Sequence, residues 1–285
     1  MNPDHMNPDP ESMTPDPEYV FDAHHHVGDV TALFAGMGDS SVSADTEVAK
    51  RLEGLDHDRV RHALVIAGHA YLRPDGVADT RRVNDGIARY RDANPDRFPA
   101  AVGIVEPTYG ARGLEEIDRC ADELHLAGIS FHHRFQGQAL NGPWTVGYVE
   151  RIAERGLVAF IHCYHESSEE ALWKLEDVAQ KVPHATIVAL DVFSGWEQTL
   201  QTFGVAARAP NVRFETALCA HVPTLVRFIR EFGAERVVYG SDTYSWPLSH
   251  GPNTVLQQLR DSELTDEEKR LVFGANLASI LRMSA

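Results

Sequence analysis

The chain has 285 residues, of which 43% are apolar and 24% are charged, and its formal net charge is -16 at pH 7 with histidine neutral. This size and composition suit one large α/β domain with a sizeable core. The excess of negative charge argues against nucleic acid and anionic membranes as partners, although an acidic proteome gives the same balance. The expected partner is a small-molecule substrate, and assembly into a homo-oligomer stays open.

Cysteine usage and the absence of targeting signals bear on the compartment. Cys120, Cys163 and Cys219 are too few and too scattered for a disulfide framework or a cysteine-based zinc site. No apolar run reaches the length of a membrane span, and the first residues lack the basic and apolar regions of a signal peptide. These features predict a cytoplasmic protein.

The first residues differ in composition from the rest of the chain. Residues 1–17 repeat a Met-x-Pro-Asp unit at Met1, Met6 and Met13, and they contain almost no large apolar side chains. Such a segment cannot bury a core. We predict a disordered leader over 1–17, for which a misassigned start codon is an alternative explanation, and a single folded domain over 18–285.

From Tyr19 onward, short apolar runs typical of buried parallel strands alternate with amphipathic stretches of helical period. The predicted strands are Tyr19–His26, Ala63–Gly68, Ala100–Glu106, Gly128–His132, Val158–His162, Thr186–Asp191, Val212–Thr216 and Val237–Ser241. The predicted helices include Thr80–Asn94, Ala111–Leu126, Val146–Arg155, Ser168–Val182, Trp196–Ala209, Pro223–Phe232 and Asp266–Arg282, the last with a break near Gly274.

This alternation predicts an α/β fold of the (β/α)8 TIM-barrel type, with functional residues at the C-terminal mouth of the barrel. Gly128, Gly156 and Gly233 are expected where helices stop. A doubly wound open sheet is the structural alternative, but no glycine-rich phosphate loop follows any of the strands.

The first strand carries a cluster of polar residues, Asp22, His24, His25 and His26. Because side chains alternate along a strand, Asp22, His24 and His26 are predicted to share one face, while His25 points against the helices. His24 and His26 are then about 7 Å apart at Cα, a spacing at which two imidazoles can bind one cation. A tag remnant is the alternative, but a tag would lie at a terminus.

Two other apolar strands end in residues that can bind a metal. His162 ends the fifth predicted strand, and Asp242 directly follows the eighth. Side chains at these positions face the mouth of a barrel, where a carboxylate can also accept a proton from a metal-bound water. The structural alternatives are a core histidine for His162 and a helix cap for Asp242.

Asp-x-His-x-His ending the first strand, a histidine ending the fifth and Gly-Ser-Asp ending the eighth together resemble the amidohydrolase superfamily. The chain is most similar to the amidohydrolase-related (amidohydrolase 2) branch, which contains decarboxylases, lactonases and other hydrolases. The resemblance extends from about Tyr19 to Met283, and Gly274–Leu277 resembles the terminal signature of the branch. It implies a metal-dependent enzyme whose ligands are Asp22, His24, His26, His162 and Asp242.

The family pattern breaks at the sixth strand, which relatives usually end with histidine and this chain ends with Asp191. Aspartate can bind a cation but is not a neutral imidazole donor. Either Asp191 joins a carboxylate-rich metal site, or the role of the histidine has moved to His165, His132 or His133. We expect a divalent metal, zinc first with manganese or iron as alternatives, with Asp191 as a further ligand and with Asp242 and His165 as catalytic residues.

Residues near the ends of the second and fourth strands are candidates for substrate binding. His69 follows the second strand, and His132, His133 and Arg134 follow the fourth. Neighbouring residues face opposite ways, so at most one of His132 and His133 points into the barrel, and the sequence does not say which. Arg134 can bind a carboxylate through two parallel hydrogen bonds, unless it is a solvated loop charge.

Three functions are compatible with these residues. The resemblance favours hydrolysis of a small lactone, amide or ester by a metal-activated water. The rival is a metal-dependent non-oxidative decarboxylase of a small aromatic carboxylic acid, and the replacement of the sixth-strand histidine by Asp191 argues against it. A non-catalytic barrel that binds a metal or ligand is the third alternative.

Overall fold

The computed structural model describes residues 19–27, 44–69, 73–244 and 253–283. The predicted leader, 1–17, lies outside the described residues. Within them, strands and helices alternate along the chain, and all eight predicted strands are present.

The bounds of the elements differ from the sequence prediction by only a few residues. The strands are β1 Phe21–Val27, β2 His62–Ala67, β3 Ala100–Ile104, β4 Gly128–Phe131, β5 Val158–His162, β6 Ile187–Leu190, β7 Val212–Glu215 and β8 Val237–Val238. The helices are α1 Ala44–His57, α2 Val77–Ala93, α3 Ala111–Asp122, α4 His133–Gln136, α5 Pro143–Glu154, α6 Leu172–Lys181, α7 Trp196–Arg208, α8 Val222–Phe232, α9 Thr254–Arg260, α10 Asp266–Arg270 and α11 Asn276–Ile280.

The strands form one parallel sheet in chain order, β1 to β8. The residues that follow β8 pair with β1 and so close the barrel. The N–H of Ala23 donates to the carbonyl oxygen of Tyr239 (2.9 Å), and the N–H of His26 donates to the carbonyl oxygen of Thr243 (2.7 Å). The predicted (β/α)8 TIM barrel is therefore confirmed.

A β-bulge in β1 changes which of its side chains face the interior. Ala23 and His24 together stand opposite Leu64 alone in β2. Two residues opposite one shift the alternation of the strand by one position. Asp22 consequently shares a face with His25 and not with the other two histidines.

Apolar side chains form an inner layer within the barrel and an outer layer between strands and helices. Along β2, Leu64 and Ile66 belong to the inner layer, whereas Val65 and Ala67 belong to the outer one. Leu277 of α11 joins the inner layer, so the last helix packs against the barrel interior. The residues that follow the strands lie at the C-terminal mouth.

The predicted break in the last helix is present. A π-helical turn, Leu271–Ala275, separates α10 from α11. Gly274 lies in this turn directly against Tyr19, and a Cβ on Gly274 would overlap the ring of Tyr19. The close approach of the two segments explains the glycine at this position.

Two of the three glycines expected at helix ends lie there. Gly156 follows α5 with φ 69, and Gly233 follows α8 with φ 95. The prediction for Gly128 is wrong, because this residue begins β4 and a Cβ on it would overlap the carbonyl oxygen of Val158 in β5. Among the described helices, none is both long and apolar enough to cross a membrane.

Candidate metal centre

Three imidazoles meet at the mouth of the barrel. The Nε2 atoms of His24 and His26 are 3.0 Å apart, and that of His162 lies 3.2 Å from the first and 3.1 Å from the second. All three side chains are buried. The ends of β1 and β5, which lie on opposite sides of the barrel, position these side chains.

The opposite ring nitrogens fix the orientation of two of these imidazoles. His162 Nδ1 lies 2.9 Å from the carbonyl oxygen of Phe131, and His24 Nδ1 lies 3.4 Å from Glu215 Oε2. The carbonyl can only accept, and the Glu215 oxygens already accept the backbone N–H groups of Asp191 and Ala217. His162 Nδ1 therefore carries the hydrogen, and its Nε2 presents a lone pair to the centre of the cluster. Beside an ionised Glu215, His24 adopts the same tautomer.

Two carboxylates border the imidazoles where β6 and β8 end. Asp242 Oδ1 lies 3.3 Å from His24 Nε2 and 3.7 Å from His26 Nε2. Asp191 Oδ1 approaches His24 at Nδ1, 3.9 Å away. Both aspartates have a left-handed backbone, with φ 57 at Asp242 and φ 62 at Asp191. Such conformations are uncommon outside glycine and are concentrated at functional sites.

Burial favours the uncharged form of these groups. It lowers the pKa of His26 and His162 well below 6.5, and it raises the pKa of Asp191 to about 7 and that of Asp242 well above 3.8. Among the described residues, Oδ1 of Asp191 and Oδ1 of Asp242 are buried without a hydrogen-bond partner. Unpaired buried carboxylate oxygens are costly, and a cation is the partner that suits them together with imidazole lone pairs.

The spacing of the three imidazole nitrogens fits one metal ion, and a carboxylate oxygen lies at a similar distance from two of them. The measured separations among the three Nε2 atoms, and from Asp242 Oδ1 to His24 and His26, are 3.0–3.7 Å. Ligands at about 2.1 Å from one ion lie about 3.0 Å apart at right angles and about 3.4 Å apart in a tetrahedron. His24, His26 and His162 form one group that could hold a divalent metal, and His24, Asp191 and Asp242 form a second group that overlaps it.

The structure does not bring Asp22 to this cluster. Asp22 Oδ1 accepts the backbone N–H groups of His24 (2.9 Å) and Ser241 (3.0 Å), and Oδ2 accepts from His25 Nε2 (2.7 Å). The prediction that Asp22 shares the face of His24 and His26 is wrong, because alternation assumes an unbroken strand and β1 has a bulge.

His69 and His132 form a wall beside the cluster. The His132 ring stacks on that of His162, with centroids 4.2 Å apart, and the His69 ring lies 5.3 Å from it. His69 Nε2 is 3.1 Å from Ser130 Oγ, and His132 Nδ1 is 2.6 Å from Glu170 Oε1. Ser130 and His132 are thus the inward-facing set of the fourth strand, which the sequence left open.

Two predicted site residues lie away from the cluster. His133 is buried, and its ring stacks on that of Phe131 with centroids 5.7 Å apart, on the outer side of β4. His165 is exposed, and its Nδ1 lies 3.2 Å from Ser194 Oγ in the loop after β6. Neither imidazole is among the atoms that converge at the mouth.

A guanidinium and several rings border the cluster further out. The half-buried Arg134 lies over the rings of Phe135 and Tyr164, 5.2 and 5.0 Å from their centroids. The Tyr244 ring lies 4.6 Å from that of His26. A planar cation between aromatic faces suits an anionic, aromatic ligand.

Sequence reasoning missed Glu215, Glu170 and Tyr244. Glu215 ends β7 as His162 ends β5, so the rule that a polar residue ending an apolar strand faces the mouth would have found it. Gly240 makes room for it, since a Cβ there would overlap the Glu215 carboxylate. Glu170 and Tyr244 follow their strands by several residues and give no such signal.

The fold and the cluster have the form of a metal-dependent TIM-barrel enzyme with histidines on the first and fifth strands and an aspartate after the eighth. A sequence model of the family described as amidohydrolase matches residues 21–282, so the chain belongs to the amidohydrolase family. The sequence matches no curated protein.

Several solved structures share this fold. They include 5-carboxyvanillate decarboxylase LigW from Sphingomonas paucimobilis (19% identity, TM-score 0.70, covering 93% of this chain and 99% of that one). Another is 2,6-dihydroxybenzoate decarboxylase from Rhizobium (14% identity, TM-score 0.69, covering 93% of this chain and 98% of that one). A third is dihydroxybenzoic acid decarboxylase from Polaromonas sp. JS666 with bound manganese and the inhibitor 2-nitroresorcinol (13% identity, TM-score 0.69, covering 93% of this chain and 97% of that one). At these identities the likeness shows the fold.

Proposed function

We propose that this protein is a metal-dependent, non-oxidative decarboxylase of a small aromatic carboxylic acid, with manganese as the metal. The observation that carries the proposal is the convergence of three imidazole nitrogens, from His24, His26 and His162, at the barrel mouth, with Asp242 Oδ1 3.3 Å from His24 Nε2. The three structures compared above are decarboxylases, and one of them contains manganese. They support decarboxylation and manganese over the hydrolysis and zinc that the sequence favoured.

A divalent metal held by these four residues would supply a Lewis acid that fixes the substrate carboxylate and a neighbouring oxygen. A mixed set of imidazoles and a carboxylate is compatible with manganese. Glu215 and the carbonyl of Phe131 hold two of the imidazoles in the orientation that exposes Nε2.

The surroundings of the cluster suit a flat anion. Burial keeps His69 and His132 neutral, since it lowers the pKa of each well below 6.5, so their rings can contact an aromatic substrate without adding charge. Arg134 supplies the cation, and Tyr244 supplies an aromatic ring 4.6 Å from that of His26. We assign substrate binding to these side chains.

Decarboxylation breaks the bond between the ring carbon and the carboxylate carbon, releases CO2, and leaves an electron pair that must take up a proton. We assign delivery of this proton to Asp191. Its Oδ1 is 3.9 Å from the nearest His24 nitrogen, farther than the atoms that converge on the metal position. Burial raises its pKa to about 7, so it can hold a proton near neutral pH.

Hydrolysis of a lactone, amide or ester is the second candidate. It is favoured by Asp191 itself, which stands where relatives have histidine and which could accept a proton from an attacking water. The same metal ligands serve both reactions, so the cluster alone does not separate them.

Isotope incorporation separates the two reactions. Manganese-loaded protein is incubated with hydroxybenzoates and carboxyvanillate in ²H2O, and with lactones, amides and esters in H2¹⁸O. We expect CO2 release with one deuterium on the vacated ring carbon. Release of ¹⁸O-labelled acid without CO2 would establish the hydrolase, and stoichiometric manganese without either product would establish a binding protein. His24→Asn is the inactive control.

A further inference from the structure

Asp22 links two of the segments that carry proposed metal ligands, β1 and the residues that follow β8. Its carboxylate accepts the backbone N–H of His24 on β1 and that of Ser241, the residue directly before Asp242. One buried side chain therefore holds the backbone of one proposed ligand and of the neighbour of another. The second Asp22 oxygen accepts from His25 Nε2 at 2.7 Å.

The hydrogen-bond direction through His25 is fixed from outside. Arg51 Nη1 lies 2.9 Å from His25 Nδ1. A guanidinium only donates, so Nδ1 must accept and Nε2 must carry the hydrogen that goes to Asp22. His25 therefore accepts a hydrogen bond from Arg51 on α1 and donates one to the carboxylate of Asp22 on β1.

Arg51 is a fully buried cation on α1. Its Nη2 donates to the carbonyl oxygen of His26 at 2.8 Å, and its Nε donates to Glu47 Oε1 at 2.9 Å. Glu47 Oε2 in turn accepts from the hydroxyl of Tyr90 on α2. The guanidinium is therefore held in one orientation by a helix, while it holds the β1 backbone on the far side of the bulge from Asp22.

These hydrogen bonds hold the backbone of β1 at and beyond its β-bulge. The N–H of His24 is held by Asp22 and the carbonyl of His26 is held by Arg51, with His25 joining the two. A bulge aims side chains that regular alternation would not. The irregular segment is the one that turns His24 and His26 toward the same point.

We propose that Asp22, His25 and Arg51 form a relay that positions the metal ligands of β1 and β8 without contacting the metal. The proposal rests on the metal site proposed above. It assigns to Asp22 the role of a positioning residue. It also assigns a function to His25, which lies between two ligands in the sequence but on the opposite face of the strand.

The test compares His25→Leu with His25→Gln. Leucine removes both hydrogen bonds, whereas glutamine keeps one acceptor for Arg51 and one donor for Asp22. His62→Leu is the matched control, because His62 is a half-buried histidine at the other end of the barrel, bonded to Tyr19 at 2.8 Å. Three properties are measured for each variant. They are the affinity for manganese, the electron paramagnetic resonance spectrum of bound manganese, and the thermal midpoint of the chelated protein, from which a chelator has removed the metal.

We expect His25→Leu to bind manganese about 10–100-fold more weakly, the range found when a residue supporting a metal ligand is lost. Its spectrum should differ from that of the parent, while His25→Gln recovers most of the affinity and the parental spectrum. The control should keep both properties. A purely architectural role of His25 would lower the thermal midpoint of the chelated protein and leave the affinity and spectrum unchanged.

Parental affinity in His25→Leu would overturn the relay, and so would equal losses in the leucine and glutamine variants. Should His25→Leu fail to fold, Arg51→Lys replaces it, since lysine keeps the charge but cannot reach both His25 and the His26 carbonyl in the same geometry. Unchanged affinity in Arg51→Lys then overturns the relay. A parent that binds no manganese refutes the proposed metal site, whereas equal binding by all variants refutes the relay alone.

Discussion

Replacement of Asp191 by asparagine tests the proposed proton donor with little disturbance of its surroundings. The side chain is buried, and its Oδ1 has no hydrogen-bond partner within the described residues, so the substitution breaks no hydrogen bond of that atom. Asparagine also tolerates the left-handed backbone, φ 62 at this position, better than most residues do. The fold and the bond from the Asp191 N–H to Glu215 should remain.

The expected loss is one of turnover and not of metal. Removal of a general acid typically costs about 10²–10⁴ in rate, which corresponds to about 3–5 kcal/mol of transition-state stabilisation. CO2 release is measured under saturating substrate with manganese content determined on the same samples. We expect kcat to fall by this factor while KM and the metal stoichiometry stay within about threefold of the parent.

The pH profile supplies a second readout for Asp191. A proton donor must be protonated to act, and burial raises the pKa of Asp191 to about 7, so parental activity should decline as pH rises through that value. The residual activity of Asp191→Asn should lack this decline. A kcat close to the parental value would refute the proton-donor assignment. Loss of manganese would show instead that Asp191 is a ligand, and Asp191→His should then raise zinc affinity relative to manganese.

Three further outcomes are expected. Burial lowers the pKa of His133 from 6.5 to about 3, so below pH 6.5 the unfolded chain binds a proton that the folded protein does not. This group should therefore lower the free energy of unfolding by up to about 1.4 kcal/mol for each unit by which the pH falls below 6.5. In urea titrations, His133→Phe should reduce the dependence of the unfolding free energy on pH. Gly128→Ala should destabilise by about 1–3 kcal/mol because its Cβ meets the Val158 carbonyl, whereas Gly147→Ala in α5, with open space around it, should not lower the thermal midpoint. Deletion of residues 1–17 should leave the thermal midpoint and activity nearly unchanged, and a large loss of either would show that the segment packs on the barrel.

The barrel could be predicted because its strands are buried on both faces. Such strands appear as continuous apolar runs, and β5 matches the predicted Val158–His162 end to end. Strand ends also indicate which residues reach the mouth, which is why His162 and Asp242 were found from sequence. The same rule applied to Val212–Glu215 would have added Glu215.

The bulge in β1 could not be predicted from alternation. Nothing in the residue types of Ala23 and His24 indicates that both stand opposite one residue of β2, and a slip of one position exchanges the faces of all later side chains. The position of Asp22 was misjudged for this reason. Arg51 could not be found either, since a charged residue in an amphipathic helix is usually solvated, and its burial depends on the tertiary contact with β1.

The metal centre itself is tested most directly by an anomalous-difference map from crystals soaked in manganese. The proposed metal site predicts one peak at the barrel mouth, bonded at about 2.0–2.3 Å to Nε2 of His24, His26 and His162 and to Oδ1 of Asp242. Asp22 should lie outside bonding distance. Absence of a peak there, or a peak bound by Asp22 in place of Asp242, would contradict it.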